Sequence, residues 1–130
     1  MFITFEGLDF SGKTTQAARL VERVKTGTLG SVLFLREPGG TRISQRIREI
    51  LLDREHLEMS PMAELLLFSA SRSQLVQEVI LPALGRGETV VCDRFYDSTT
   101  AYQGHGRGLD LQAIGRINAI ASAGLVPDLT

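Results

Sequence analysis

Apolar residues follow two alternating patterns along the chain: short runs, and longer stretches in which they recur at helical spacing. Each short run is rich in residues that favour β-strands and is broken by glycine or proline, so it indicates a buried strand. Each longer stretch indicates a helix. The patterns predict strands at residues 2–5, 32–35 and 89–92, and helices at residues 13–24, 43–51, 61–80 and 110–123.

The longest of these stretches, residues 62–80, carries few charges before Glu78 and predicts a largely buried helix. Ser60 is a suitable N-cap for it, and Pro61 is a suitable first residue. Pro82 and the glycines that follow it are predicted to end the helix. The later glycines at 104, 106 and 108 predict a loop, and they predict no second phosphate-binding turn because no strand precedes them.

Strands that alternate with helices predict an α/β fold, with a parallel sheet flanked by helices in a single domain. Residues 126–130 are typical of a loop that enters a further strand. A three-stranded parallel sheet that stopped there would have a bare edge. We therefore expect further sequence after Thr130, so that residues 1–130 are an incomplete domain.

The composition excludes several kinds of partner. The chain of 130 residues is 43% hydrophobic and 22% charged, with a formal net charge of −1. Its arginines are spread along the chain and form no basic stripe that would bind nucleic acid, so we expect a small anionic molecule as partner. No stretch reaches the roughly 18 apolar residues of a membrane span, and no signal peptide is evident. We therefore expect a cytoplasmic protein without a membrane partner.

Cysteine and histidine add no predicted chemistry. Cys92 is the only cysteine, which excludes an internal disulfide, and its apolar neighbours predict a buried position in the third strand. His56 and His105 have no partner at metal-ligand spacing and are predicted to lie on the surface.

The segment from Gly7 to Thr14 carries the clearest chemistry, because it matches the phosphate-binding pattern G-x-x-x-x-G-K-[ST] at every fixed position. It lies between a predicted strand and a predicted helix, so backbone N–H groups and the helix N-terminus would face the phosphates. Lys13 would reach the β- and γ-phosphates, and the Thr14 hydroxyl would bind Mg²⁺. The predicted nucleotide-binding residues are Gly7, Leu8, Asp9, Phe10, Ser11, Gly12, Lys13 and Thr14.

A second signal is Asp93, which follows the third strand and directly precedes Arg94. The aspartate would help to hold Mg²⁺, directly or through water. The arginine would place a fixed positive charge near the transferred phosphoryl group. A surface ion pair at the end of the strand is the alternative interpretation. Switch proteins that bind GTP also have a P-loop, but their Asn-Lys-x-Asp motif is absent from the 130 residues, which disfavours that class.

Five segments together resemble bacterial thymidylate kinases, in the order and spacing of that family and over the whole chain. They are GLDFSGKTT (7–15), REPGGT (36–41), LFSASR (67–72), DRFYDSTTAYQGHGRG (93–108) and PDLT (127–130). The resemblance implies a P-loop NTPase fold, the reaction ATP + dTMP → ADP + dTDP, dependence on Mg²⁺ and a homodimer. Another P-loop nucleoside or nucleoside monophosphate kinase, acting on dAMP or CMP for example, is the alternative.

The resemblance also implies roles for individual residues. Lys13, Asp93 and Arg94 would be catalytic, and Asp9 would accept a hydrogen bond from the 3′-hydroxyl of dTMP. A solvated aspartate in the turn is the alternative for Asp9. The aromatic ring of Phe68 would stack on thymine and Arg72 would donate to the base. The predicted dTMP-binding residues are Asp9, Glu37, Arg48, Phe68, Arg72, Arg94, Thr99, Tyr102 and Gln103.

Several of these roles remain open at the level of sequence. Glu37 either supports Mg²⁺ or orients an arginine, and Arg48 either faces the substrate or is a solvated helix residue. Phe68 alone would be an ordinary core residue, but its spacing of four from Arg72 puts both on one helix face. Thr99 and Gln103 would contact the base, and Tyr102 would lie beneath the sugar and exclude a 2′-hydroxyl. Helix packing or solvation is the alternative for all three.

The variable positions of the P-loop, residues 8–11, contain no arginine. In this respect the chain resembles the thymidylate kinases whose remaining basic residues lie in a mobile lid. That lid would follow the strand that PDLT begins, and we expect it after residue 130.

Overall fold

The computed structural model describes residues 1–26, 31–53, 55 and 58–130. Most of the predicted loop at residues 26–30, and His56, lie outside the described residues. Among these described residues, three parallel strands form one sheet in the order β1-β3-β2: β1 (Phe2–Phe5), β2 (Val32–Arg36) and β3 (Thr89–Asp93). The three predicted strands are confirmed, and β2 and β3 are each one residue longer than predicted.

The register aligns the carboxyl ends of the strands. Phe5 and Arg36 both pair with Asp93, so the three strands end at the same level. At the outer edge of β1, Leu129 forms an isolated parallel bridge to Ile3, and its carbonyl accepts a hydrogen bond from the Thr4 N–H at 2.9 Å. Residues that follow the strand ends are therefore brought together, as the rule for ligand sites in open α/β sheets requires.

In the part of the chain that the structure describes, six α-helices lie around the sheet: α1 (Lys13–Lys25), α2 (Arg42–Leu52), α3 (Pro61–Leu75), α4 (Leu81–Gly85), α5 (Tyr96–Thr99) and α6 (Leu111–Ala121). Side chains cap three of them. Thr41 accepts from the Ser44 N–H, Ser60 from the Ala63 N–H, and Asp110 from the Gln112 and Ala113 N–H groups. These caps satisfy N–H groups that the first helical turn leaves without a partner.

Two π-helical segments were not predicted. Val76–Ile80 joins α3 to α4, so the helical chain runs past Pro82 and ends at Gly85, the first of the glycines predicted to end it. Pro82 therefore lies inside a continuous helical chain, one residue after the π-helical segment, although it has no backbone N–H to donate.

Thr100–Gly106 continues α5, so the predicted loop at the glycines is wrong at 104 and 106. Gly104 is buried, and a Cβ there would lie 2.6 Å from the Leu111 side chain. Packing against α6 therefore overrides the poor helix propensity of glycine.

Hydrophobic residues fill both faces of the sheet. On one face a cluster of Phe2, Leu35, Leu75, Val76, Ile80, Ala83, Val90, Cys92 and Phe95 packs beneath the α3–α4 region. On the other face Ile3 and Val91 pack against Ala17 and Val21 of α1. The alternation along β1 and β3 sends neighbouring side chains to opposite faces. Cys92 is buried, as predicted.

Two predicted helix faces are less buried than expected. Met62 and Leu66 of α3 are 44% and 52% exposed, although residues 62–80 were predicted to be largely buried. Ile43 and Ile50 of the amphipathic α2 are 50% and 43% exposed. No described helix is long and apolar enough to cross a membrane.

Candidate functional site

The P-loop lies between β1 and α1, in the strand–loop–helix setting that the sequence predicts. Gly7 and Gly12 have φ angles of 146° and 85°, which side chains with a Cβ rarely adopt. The Lys13 Nζ donates to the Leu8 carbonyl at 2.9 Å and lies 3.5 Å from the Asp9 carboxylate. Phe10 also has a positive φ, 62°, and its ring is fully exposed. The lysine is thus held across the loop.

Asp93 and Thr14 meet at the end of β3. The Thr14 hydroxyl donates to the Asp93 Oδ2. The other oxygen, Oδ1, is buried and has no hydrogen-bond partner among the described residues. A buried carboxylate oxygen without a partner, beside a threonine hydroxyl at a helix start, is a donor set that suits Mg²⁺. Among the described residues there is no group of three or more His, Cys, Asp or Glu side chains that could hold a metal by themselves.

Arg94 turns from the end of β3 toward the P-loop. Its φ of 74° is unusual for a residue with a side chain. One end of the guanidinium donates to the Asp9 Oδ1 at 2.6 Å, and the other donates to the Ser98 Oγ at 2.8 Å. The Tyr102 ring lies 5.3 Å away. The hydrogen bond from Arg94 lowers the pKa of Asp9, so this exposed carboxylate stays ionised.

A cleft of about 470 Å³ opens beside these residues. It brings together every residue that the sequence predicts for the acceptor nucleotide. They are Asp9, Glu37, Arg48, Phe68, Arg72, Arg94, Thr99, Tyr102 and Gln103. The residues come from the P-loop, the loop after β2, helices α2 and α3, and the α5 region. Since they are far apart in sequence, their meeting in one cleft is a property of the fold.

Arg72 is fully buried at the back of this cleft. Its Nη1 donates to the Asn118 Oδ1 at 2.9 Å and its Nη2 donates to the Thr99 hydroxyl at 2.7 Å. Its Nη2 also lies 2.6 Å from the Glu37 Oε1, as an ion pair outside hydrogen-bond geometry. The buried Nε has no hydrogen-bond partner in the described part of the chain. The side chain therefore retains a donor on a guanidinium whose direction is fixed.

Glu37 is the counter-charge of Arg72. It is 2% exposed, and burial raises the pKa of its carboxyl group while Arg72 acts in the opposite direction. Of the two roles predicted for Glu37, this contact favours the orientation of an arginine over the support of Mg²⁺.

Arg48 also faces the cleft. Its Nη1 donates to the Pro38 carbonyl at 2.7 Å, and partial burial lowers its pKa. This position differs from that of a fully solvated helix residue.

Phe68, Tyr102 and Gln103 provide the remaining walls. Phe68 is half-buried on α3, one turn before Arg72. Tyr102 is 40% exposed, whereas Gln103 is buried. At the rim, the Arg107 guanidinium donates to both oxygens of Glu64 at 3.0 and 3.3 Å, which joins the start of α3 to the end of the π-helical segment.

Three residues of this region were missed at the level of sequence: Glu6, Ser98 and Asn118. Glu6 is a charged residue directly after a buried strand, and this placement alone could have drawn attention to it. Burial raises the pKa of Glu6, against hydrogen bonds from Ser98 and Phe95 that lower it. Asn118 is a polar residue on the buried face of α6, between Ile114 and Ala121. Such a residue requires a buried partner, and here that partner is Arg72.

The parallel sheet, the P-loop and the aspartate at the end of β3 define a protein of the P-loop NTPase fold class. The family model described as thymidylate kinase matches residues 5–130. The chain belongs to the thymidylate kinase family.

Individual relatives agree with this assignment. The chain is 58% identical over 130 residues to a thymidylate kinase from Prosthecochloris aestuarii. That alignment covers 100% of this chain and 57% of the relative. It is 54% identical over 130 residues to a thymidylate kinase from Pelodictyon phaeoclathratiforme, in an alignment that covers 100% of this chain and 59% of the relative. A crystal structure of thymidylate kinase from Ehrlichia chaffeensis has a TM-score of 0.90 and 41% identity, over 98% of this chain and 71% of the other. The chain thus spans somewhat more than half the length of the curated relatives.

Proposed function

We propose that the whole protein transfers the γ-phosphoryl group of ATP to dTMP and releases ADP and dTDP. The observation that carries this proposal is the cleft that adjoins the P-loop. It is lined by the nine residues expected to surround dTMP, and Asp9 and Arg94 lie at its P-loop end. Family membership supports the same reaction. In this proposal residues 1–130 are part of a single P-loop kinase domain.

The donor nucleotide would bind along the P-loop, with Lys13 on the β- and γ-phosphates. Thr14 and Asp93 would hold Mg²⁺, directly or through water, and the unpartnered Asp93 Oδ1 supports this assignment. When bound, Mg²⁺ neutralises negative charge on the phosphates. Arg94 would stabilise charge on the transferred group from the acceptor side. The acceptor phosphate is the nucleophile and is already ionised near neutral pH, so the proposal names no general base.

The base would enter between Phe68 and the buried arginine. The Arg72 Nε is a buried donor without a partner among the described residues, and a base carbonyl would satisfy it. Thymine has a carbonyl where cytosine has an amino group, and that amino group would present hydrogen atoms to the arginine instead. Glu37, Asn118 and Thr99 hold the guanidinium on its other sides. The cleft therefore favours a base with a carbonyl at that position.

A coupled assay of ADP formation with dTMP, dCMP, dAMP and dGMP tests the substrate. We expect dTMP to be preferred, because dCMP and dAMP would each place a base amino group against Arg72, at about 1–3 kcal/mol per unsatisfied group, and dGMP carries a larger, two-ring base. Equal rates with dCMP would contradict the assignment of the acceptor but would leave the phosphoryl transfer intact. No ADP formation with any monophosphate would contradict the kinase itself.

Substitution of Tyr102 tests the proposed selection against ribose. Because exclusion of a 2′-hydroxyl would be steric, Tyr102→Phe should keep the ratio of dTMP to ribo-TMP efficiency, and Tyr102→Ala should reduce it. The two values of kcat/KM are measured side by side for each variant. An unchanged ratio in Tyr102→Ala would assign the tyrosine to packing alone.

We also propose that the whole protein is a homodimer that works in the cytoplasm, where ATP and dTMP would meet it. The exposed Ile43 and Ile50 of α2, with Met62 and Leu66 of α3, support a dimer because they offer apolar surface that association would cover. Analytical ultracentrifugation of the whole protein measures whether it is a monomer or a dimer in solution.

A further inference from the structure

We propose that Glu6 is a positioning residue for Arg94 and that it acts through the hydroxyl group of Ser98. The inference deepens the phosphoryl transfer proposed above and rests on it for the role of Arg94. Glu6 lies between the end of β1 and Gly7 of the P-loop, and its carboxylate faces the start of α5 rather than the cleft.

One carboxylate receives three hydrogen bonds at the start of α5. The Glu6 Oε1 accepts from the Phe95 N–H at 2.7 Å and from the Ser98 N–H at 3.3 Å. The Glu6 Oε2 accepts from the Ser98 hydroxyl. The carboxylate therefore satisfies N–H groups of the first helical turn, where negative charge is favoured, and joins the chain beside the P-loop to the element that follows Arg94.

The Ser98 hydroxyl connects this carboxylate to Arg94. A hydroxyl group has one hydrogen to donate and two lone pairs. Because its hydrogen is directed to Glu6, its oxygen is free to accept from the Arg94 Nη1 at 2.8 Å. An ionised carboxylate only accepts, so it fixes the direction of that hydrogen. Without it the hydroxyl hydrogen could turn toward the guanidinium, and the acceptor for Arg94 would be lost.

The two ends of the Arg94 guanidinium are held unequally. Asp9, which accepts from the Nη2, has a side chain that is 73% exposed and belongs to the P-loop. Ser98 and Glu6 are half-buried and are fixed to α5 and β1. The Glu6–Ser98 side is therefore the firmer support, and it holds the guanidinium over the cleft. Glu6 does not line the cleft, so it would act only through Ser98 and the start of α5.

The test compares Glu6→Gln and Ser98→Ala in two backgrounds, the otherwise unchanged protein and Arg94→Ala. In the otherwise unchanged protein we expect each of the two substitutions to lower kcat on the order of tenfold, because a catalytic group loses a supporting contact. The KM for ATP should change little. In the Arg94→Ala background we expect almost no further loss, since the group they position is gone. Equal losses in both backgrounds would show an independent structural role and overturn the proposal.

Two further measurements keep the test decisive. Glu88→Gln, which removes the negative charge that pairs with Arg86 at the opposite end of β3, should leave kcat unchanged. NMR can follow rotation of the Arg94 guanidinium about its Nε–Cζ bond without any substrate. We expect faster rotation in Glu6→Gln and Ser98→Ala, and unchanged rotation in both would overturn the proposal.

If the unmodified protein phosphorylated no acceptor while the rotation changed as expected, the proposed function would fail and the positioning of Arg94 would stand. If Glu6→Gln does not fold, Ser98→Ala carries both measurements.

Discussion

Arg94→Ala in the whole protein is expected to lower kcat by on the order of 10²-fold or more while the protein remains folded. Arg94 lines the cleft at its P-loop end and donates to Asp9, so its guanidinium is well placed for a phosphoryl group that passes from the P-loop into the cleft. Its loss removes charge stabilisation that the transition state needs, worth a few kcal/mol. Steady-state kinetics with ATP and dTMP measure the effect, and circular dichroism monitors the fold.

Two companion variants sharpen this result. Arg86→Ala removes an exposed arginine whose guanidinium bonds to Glu88 at the other end of β3, and it should leave kcat unchanged. Arg94→Lys keeps a positive charge, but the lysine cannot donate to Asp9 and Ser98 at the same time. Its kcat should therefore lie between those of Arg94→Ala and Arg86→Ala. Near-normal turnover in a folded Arg94→Ala protein would make the arginine a structural residue of the turn.

Glu37→Gln is expected to lower the free energy of unfolding by roughly 3–5 kcal/mol, as for other buried ion pairs that lose one partner. Arg72 is 1% exposed, and without Glu37 its charge would remain buried beside neutral partners only. Equilibrium unfolding in urea measures the change. A loss below about 1 kcal/mol, the range of exposed pairs, would contradict a buried ion pair at this site.

The double variant Glu37→Gln/Arg72→Met separates charge from packing. Removal of both charges should restore much of the lost stability, because a buried pair is often replaceable by neutral side chains of similar size. The same double variant should still bind dTMP poorly, since the proposed donor to the base is gone. If it were as unstable as Glu37→Gln alone, the unpaired charge of Arg72 would not be the source of the lost stability.

The parts of the fold that could be predicted are those in which the pattern of residues adjacent in sequence is enough to indicate a strand or a binding loop. The strands of the sheet appear as short, largely apolar runs, and the P-loop is a local motif of eight residues. The segment at residues 100–106 could not be predicted in this way. Its two glycines favour a loop, and only the close approach to Leu111 on α6 explains why it is helical.

The candidate site shows the same division. Asp93 and Arg94 are adjacent in sequence, and Phe68 and Arg72 share a helix face, so both pairs could be predicted. The contact between Arg72 and Asn118 joins residues 46 positions apart, and no periodicity indicates it. Ser98 was missed for a different reason. It lies only four residues after Arg94, but its role depends on the direction of one hydroxyl hydrogen.

Arg94 also has a consequence for how this sequence can change over generations. A side chain at φ 74° costs on the order of 1 kcal/mol or more, which glycine would avoid. Selection for stability alone would therefore favour glycine at this position. Selection for the function of the arginine side chain would act against that change. Redesign guided by thermal stability meets the same conflict, because the substitution that most relaxes this turn would also remove its guanidinium. Position 94 should be held fixed in any library built for heat resistance.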